Sequence, residues 1–277
     1  MKSHVSGKTW HTKRSLHFAR QKMPPDISIE PVSTLHDFCC AMRKLHTEYV
    51  RLGILKRQQG DMLFSPWLLH QGSRLLVAKK GDEVVGSISL IPQAGLGMPA
   101  EAVFGDAIRQ QGSAPQRTAE IGSLCIDERY RGTGLLRGLY ATAILYAAFW
   151  QNIDTIFIQI DSRKARFYRE MLFFKSVVSS RPHPGYQNLS AALMRVDIKS
   201  ALVQIRSSLD SQRRMTLKQV MASLHIDNLY QQLHVSLARK QRFHWNTRCV
   251  HDYCQRCGVD TERCDERLRQ VLQQSWG

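Results

Sequence analysis

Six consecutive residues, Arg129-Tyr130-Arg131-Gly132-Thr133-Gly134, set two guanidinium groups and two glycines just ahead of an apolar run. Glycines there let backbone N–H groups turn toward one point, and a helix starting near Gly134 adds unpaired donors and a partial positive charge. Such a turn can cradle an anion, with Arg129 and Arg131 adding charge. Alone it can also be a plain tight turn. It is not the dinucleotide fingerprint, whose third glycine is missing, nor a triphosphate loop, since no Lys-Ser/Thr follows.

A second constellation is Cys249, His251, Cys254-x-x-Cys257 and Cys264, which could bite a zinc ion. There is only one Cys-x-x-Cys pair, so helix-packing thiols are the expected reading and no metal is required. Cys125 has no strand-local His or Asp to activate it and reads as a small hydrophobe rather than a nucleophile. Phe243, Trp245 and Tyr253 among basic residues could stack on bases. A small core with a basic rim is the simpler expectation, so nucleic acid is not expected as a partner.

The elements that must position these residues are legible in the pattern. Ile27 to Val32 alternates like a strand, and Thr34 opens a helix running to about Leu52. Arg74–Ala78 and Glu83–Ile91 flank the turn at Lys80-Gly81-Asp82 and predict a hairpin. Pro92–Pro99 is a loop, Ala100–Gln111 a short helix, and Ala119–Asp127 a central strand. Gly134–Trp150 reads as a long apolar helix and Thr155–Ile160 as a strand covered on both faces. Ser162–Leu172 predicts a helix with a serine N-cap. Phe174–Val178 and Ala191–Val196 predict two last strands. The order predicts a mixed α/β sheet with helices on its faces. After about residue 200, Thr216 and Gln219 fit a capping box, and Leu217, Val220, Leu224, Leu229, Leu233 and Leu237 follow a helical spacing.

With these elements placed, residues 119–136 resemble motif A of the GNAT acyltransferase superfamily, with Arg129, Gly132 and Gly134 at the positions of Arg/Gln-x-x-Gly-x-Gly/Ala. Ala165 to Phe174 resembles the same family's late helix, except that Phe173 stands where glycine is usual. Gly81–Ile91, the loop through Leu96–Ala100, and Ala119–Leu124 look like the N-acyl amino acid synthases, relatives of the acyl-homoserine-lactone synthases. The resemblance implies a GNAT-type α/β fold, a mixed, mostly antiparallel central sheet flanked by helices, with a C-terminal helical appendage. Charge, composition and helical spacing set off a basic, loosely ordered arm (1–25) and a helical, basic, Cys-containing module (199–277) from the acyltransferase domain (26–198) that the resemblance covers.

The implied reaction moves an acyl group, long-chain in this branch, from an acyl-CoA or the phosphopantetheine of an acyl carrier protein to the amine of an amino acid or similar small molecule. The resemblance makes Glu120 the base, directly or through water, and Tyr168 the acid that protonates the departing thiolate. It assigns the donor's arm to Leu124, Cys125 and Ile126 and to the loop Arg129, Tyr130, Arg131, Gly132, Thr133, Gly134 with Leu135. A structural carboxylate and a buried core phenol are the alternatives for Glu120 and Tyr168. An acetyl-CoA-dependent N-acetyltransferase and a non-catalytic GNAT-fold binding module are the rival functions.

The charge pattern bears on partners. The chain of 277 residues carries a formal +16. Residues 1–25 hold six Lys/Arg and no acid, and residues 199–277 hold 13 basic against seven acidic side chains. Basic ends suit an acidic carrier protein or an anionic lipid surface, with solvated surface as the plain alternative. The longest apolar stretch, Tyr140–Trp150, is too short to span a bilayer. No secretory h-region is visible, so a cytoplasmic location is expected, with peripheral membrane association left open. The odd count of seven cysteines argues for reduced thiols.

Overall fold

The computed structural model describes residues 17–18, 20–56, 61–94, 96–112, 114, 117–209, 216–238 and 243–259. Seven strands form one sheet in the order β1-β2-β3-β4-β5-β7-β6. They are β1 (Ser28–Pro31), β2 (Arg74–Lys80), β3 (Glu83–Pro92), β4 (Thr118–Ile126), β5 (Thr155–Asp161), β6 (Lys175–His183) and β7 (Leu189–Asp197). All neighbours run antiparallel except β4 and β5. A parallel pair needs a crossover. Helix α3 (Leu135–Trp150) supplies it.

Helix α1 (Leu35–Arg51) covers one face of the sheet, starting at Thr34, whose side chain accepts from the Asp37 amide at 3.1 Å. Helix α2 (Glu101–Gln110) lies on the same face, packing Phe104 and Ile108 against Phe157 and Leu193. Helix α3 covers the other face together with α4 (Ala165–Met171). Among the described residues the tail forms α5 (Ile198–Leu209), α6 (Leu217–Ser223), α7 (Asp227–Ala238) and α8 (Thr247–Arg256).

The tail helices do not enclose a core of their own. Leu229, Leu233 and Leu237 of α7 join the α3 side of the core, and Val250, Tyr253 and Cys254 of α8 join the α1 side. This explains why α3 is apolar nearly all round. One side meets the sheet and another meets α7, where Phe149 and Trp150 touch Tyr230 with centroids 5.4 and 5.3 Å apart. Phe243, Trp245 and Tyr253 pack around Phe38 of α1. Trp245 Nε1 donates to the Leu68 carbonyl (2.8 Å) and the Tyr253 hydroxyl to that of Leu63 (2.8 Å). These rings are core, not a stacking platform. No described helix is long and apolar enough to cross a membrane.

Two local differences from the sequence reading matter. Strand β6 runs to His183, five residues past the predicted end. It is an edge strand, so the proline at 182 costs no ladder bond it needs. The arm's end is fixed rather than loose: Phe18 packs edge-on to Phe167 at 5.5 Å, and the Gln21 side-chain amide donates to the Gly132 carbonyl at 2.8 Å. Residues 1–16 of the arm lie outside the described residues.

Candidate functional site

Strands β4 and β5 pair only from Thr118–Thr155 to Glu120–Phe157 and then separate. In β4, Ser123 forms a bulge against β3, with φ 48° and its carbonyl accepting from the Ser87 hydroxyl at 3.0 Å. A bulge adds twist and bends a strand, which suits the departure of β4 from β5. The segments of β4 after Glu120 therefore have no strand partner on the β5 side. A cavity of about 260 Å³ occupies the gap. It is lined by Gly122, Ser123 and Leu124 of β4 and Gln159, Ile160 and Asp161 of β5. Tyr140 and Tyr168 close it from the α3 side, and Tyr49, His183 and Tyr186 from the α1 side.

Beyond β4 comes the glycine-bearing loop. Gly132 and Gly134 have φ of 78° and 81°, in the left-handed region that glycine enters without strain. Gly134 is also the N-cap of α3, and a Cβ there would lie 2.5 Å from the Lys22 carbonyl oxygen, so no other residue fits. Arg129, 55% exposed, is held by Asp127 (2.8 Å) and Glu83 (2.5 Å). Arg131, 45% exposed, is held by Glu48 at 2.8 Å. Thr133 Oγ1 donates back to the Tyr130 carbonyl, and Leu135 is buried at the first turn of α3.

Glu120 is only 1% exposed and does not reach the cavity wall. Its Oε2 accepts from the Ala100 amide at 2.6 Å, and the Gln159 side chain donates to it. Burial in a site without a counter-cation pushes its carboxyl up to about 8. Gln159 connects it to a residue the sequence reading passed over. His183 Nε2 lies 3.1 Å from Gln159 Oε1. A carbonyl oxygen can only accept, so the ring carries its proton on Nε2. Nδ1 is then a lone pair, and it is buried with no partner. The ring is 8% exposed, stacked on Tyr186 at 4.1 Å, and burial holds it below the usual histidine range. The signal that could have found it is weak: a lone histidine between two prolines at the end of a polar strand.

Tyr168, 7% exposed, is on the cavity wall. Its hydroxyl is hydrogen-bonded to that of Tyr140, and either oxygen can be the donor. Burial raises it above the usual phenol range, so it stays protonated at neutral pH. The structure thus brings Tyr168, Leu124 and, at one remove, Glu120 to one cavity. Cys125 points the other way, toward α1, with burial pushing its thiol up to about 12. Its backbone and that of Ile126 remain on the path from cavity to loop. No disulfide joins the described cysteines, and no group of three or more His, Cys, Asp or Glu among the described residues is placed to hold a metal ion. Cys254 is buried in α8 with Cys249 and Cys257 at its ends, while Cys264 lies outside the described residues.

The family model described as N-acyl amino acid synthase FeeM matches residues 41–197. The solved structure of FeeM, an N-acyl amino acid synthase from uncultured soil microbes, superposes with a TM-score of 0.57 at 17% identity, covering 64% of this chain and 94% of that one. A CoA-dependent acyl-homoserine lactone synthase, BjaI, solved with SAM and isopentyl-CoA, gives 0.52 at 16% identity, covering 71% and 98%. At such identities the superpositions show the shared fold. No curated protein sequence matches the chain.

Proposed function

The chain belongs to the N-acyl amino acid synthase FeeM family and is an acyltransferase, and from that premise we propose that it moves a long acyl group from a CoA or carrier-protein thioester to the amine of an amino acid or similar small molecule. The observation that carries this reading is the cavity through the β4–β5 gap, with Tyr168 on the α3 side and His183 on the α1 side. The donor's phosphate arm lies on the loop 129–134, its amides against Leu124–Ile126, and its sulfur near Tyr168. The acceptor enters from the α1 side.

The amine nitrogen attacks the thioester carbonyl, the new C–N bond forms and the C–S bond breaks. The amine proton passes to His183, the neutral base on the wall, and the Tyr168 proton passes to the departing sulfur. Glu120 belongs to the same base unit: it holds Gln159, and Gln159 fixes the tautomer of His183. The base assigned to Glu120 from the sequence resemblance thus acts at one remove. No metal enters this scheme. The basic surface suits an acidic carrier protein.

The test is free-thiol release when the pure protein is incubated with acetyl- through palmitoyl-CoA, or acyl carrier protein, and a panel of amino acids. Release rising with chain length is expected. Release from acetyl-CoA alone would support a conventional N-acetyltransferase instead, and no release from any donor would sink the proposal.

A further inference from the structure

A second cavity, of about 140 Å³, lies behind Tyr140 on the α3 side of the sheet. Tyr140 lines both cavities. Its hydroxyl is bonded to that of Tyr168, so the two cavities share Tyr140 as a wall and the second lies directly behind the position assigned to the thioester. One wall is α3, with Ala141 and Ile144; another is the turn after α4, with Phe173; the far wall is α5 and α6, with Ala201, Ile205 and Met221. The one charged side chain on the wall, Arg137, is already engaged by three backbone carbonyls. Nothing in the cavity calls for a polar ligand, whereas a hydrocarbon loses unfavourable contact with water on entering it.

We infer that this cavity holds the distal methylenes of the donor's acyl chain, and that α5 and α6 set the longest chain the enzyme accepts. The inference rests on the acyl-transfer reading above. It assigns a task to residues after 197, which lie outside the segment matched by the family. Each methylene that finds room there should favour a donor by roughly fourfold, the worth of one buried methylene.

Filling the far wall tests this. Ala201→Phe and Ala141→Phe intrude from opposite sides, and thermal melting reports whether each folds. Ala201→Leu and Ala141→Leu serve if a larger ring is not tolerated. Binding of butyryl- and palmitoyl-CoA by calorimetry and turnover of both are measured for each. The expected result is palmitoyl-CoA binding and kcat/KM reduced by on the order of 10–200-fold, with butyryl-CoA changed by less than about twofold. Equal losses for both donors, or no loss for either, would overturn the assignment while leaving acyl transfer standing. Length-selective loss of binding in a protein that releases no thiol from any donor would keep the cavity and overturn the transfer reading.

Discussion

At the loop end of the β4–β5 gap, Arg129 and Arg131 stand half in solvent with Glu83, Asp127 and Glu48 against them. At the Glu120 end a single carboxyl sits in the interior with only neutral donors, the Ala100 amide and the Gln159 side chain. The difference is one of what each site can exchange. Exposed ion pairs are worth about 0–1 kcal/mol each, so a phosphate can replace a carboxylate on either arginine at little cost. A buried charge has no such replacement, and the protein answers by shifting protonation instead. One end can exchange its partners with solvent, whereas the other holds its proton in place.

The sharpest way to break this contrast is to remove the Tyr168 hydroxyl on the cavity wall between the two ends. Tyr168→Phe should lower kcat by about 10²–10⁴-fold with donor KM nearly unchanged, since the ring still packs. His183→Asn should cost a comparable factor and carry a second signature. Burial lowers the His183 pKa, so the neutral base persists below the ordinary value of 6.5, and wild-type kcat/KM should fall only under that pH. The variant should lack that acid limb; an unchanged limb would remove His183 from the reaction.

A smaller effect is expected at the loop. Arg131→Ala should raise the KM for acyl-CoA by roughly tenfold, consistent with losing one charge-assisted contact, and the increase should shrink at high salt. An acyl-pantetheine donor without phosphates should be indifferent to the change, and equal sensitivity would show that Arg131 does not meet phosphate. The smallest effect is thermodynamic. The folded carboxyl of Glu120 titrates near 8 against 4.5 for the free group, so the fold favours the protonated form. That contribution is fully present below about 4.5 and is lost as pH rises to about 8. Melting curves of Glu120→Gln, which stays neutral, should therefore gain on wild type between those limits and run parallel above them. Curves parallel throughout would mean that the burial of Glu120 has no such consequence.

Much of this site was legible before the structure. The loop announced itself through glycines that a left-handed backbone requires, and the Glu120 strand and Tyr168 helix through their periodicity and order. His183 was not, because β6 is a polar edge strand with a proline, and polar edge strands lack the alternation by which buried ones are read. The partners of Arg129 and Arg131 were equally hidden: Glu83 and Glu48 are 46 and 83 residues away in sequence. Phe173 shows a limit of another kind. It occupies the glycine position of the family pattern, and the backbone still turns left-handed there, with φ 64°. Its ring joins the apolar core against α3, and that burial offsets a backbone cost of about 1–2 kcal/mol. The spacing of leucines in the tail predicted helices but could not say that α7 would cover the α3 side of the core while α8, outside that leucine pattern, joins the α1 side.

One buried guanidinium bears on how such chains can be recombined. Arg137, near the start of α3, reaches the Gln21 carbonyl at 2.8 Å, that of Leu224 at 2.8 Å and that of His225 at 3.3 Å. It is a three-way joint between the segment before the sheet, helix α3 and the tail. A tail transplanted from a relative by cutting at residue 197 would arrive without its socket. To exchange tails as working parts, residues 21–25 and position 137 must travel with them, so the seam for grafting follows the joint rather than the edge of detectable similarity.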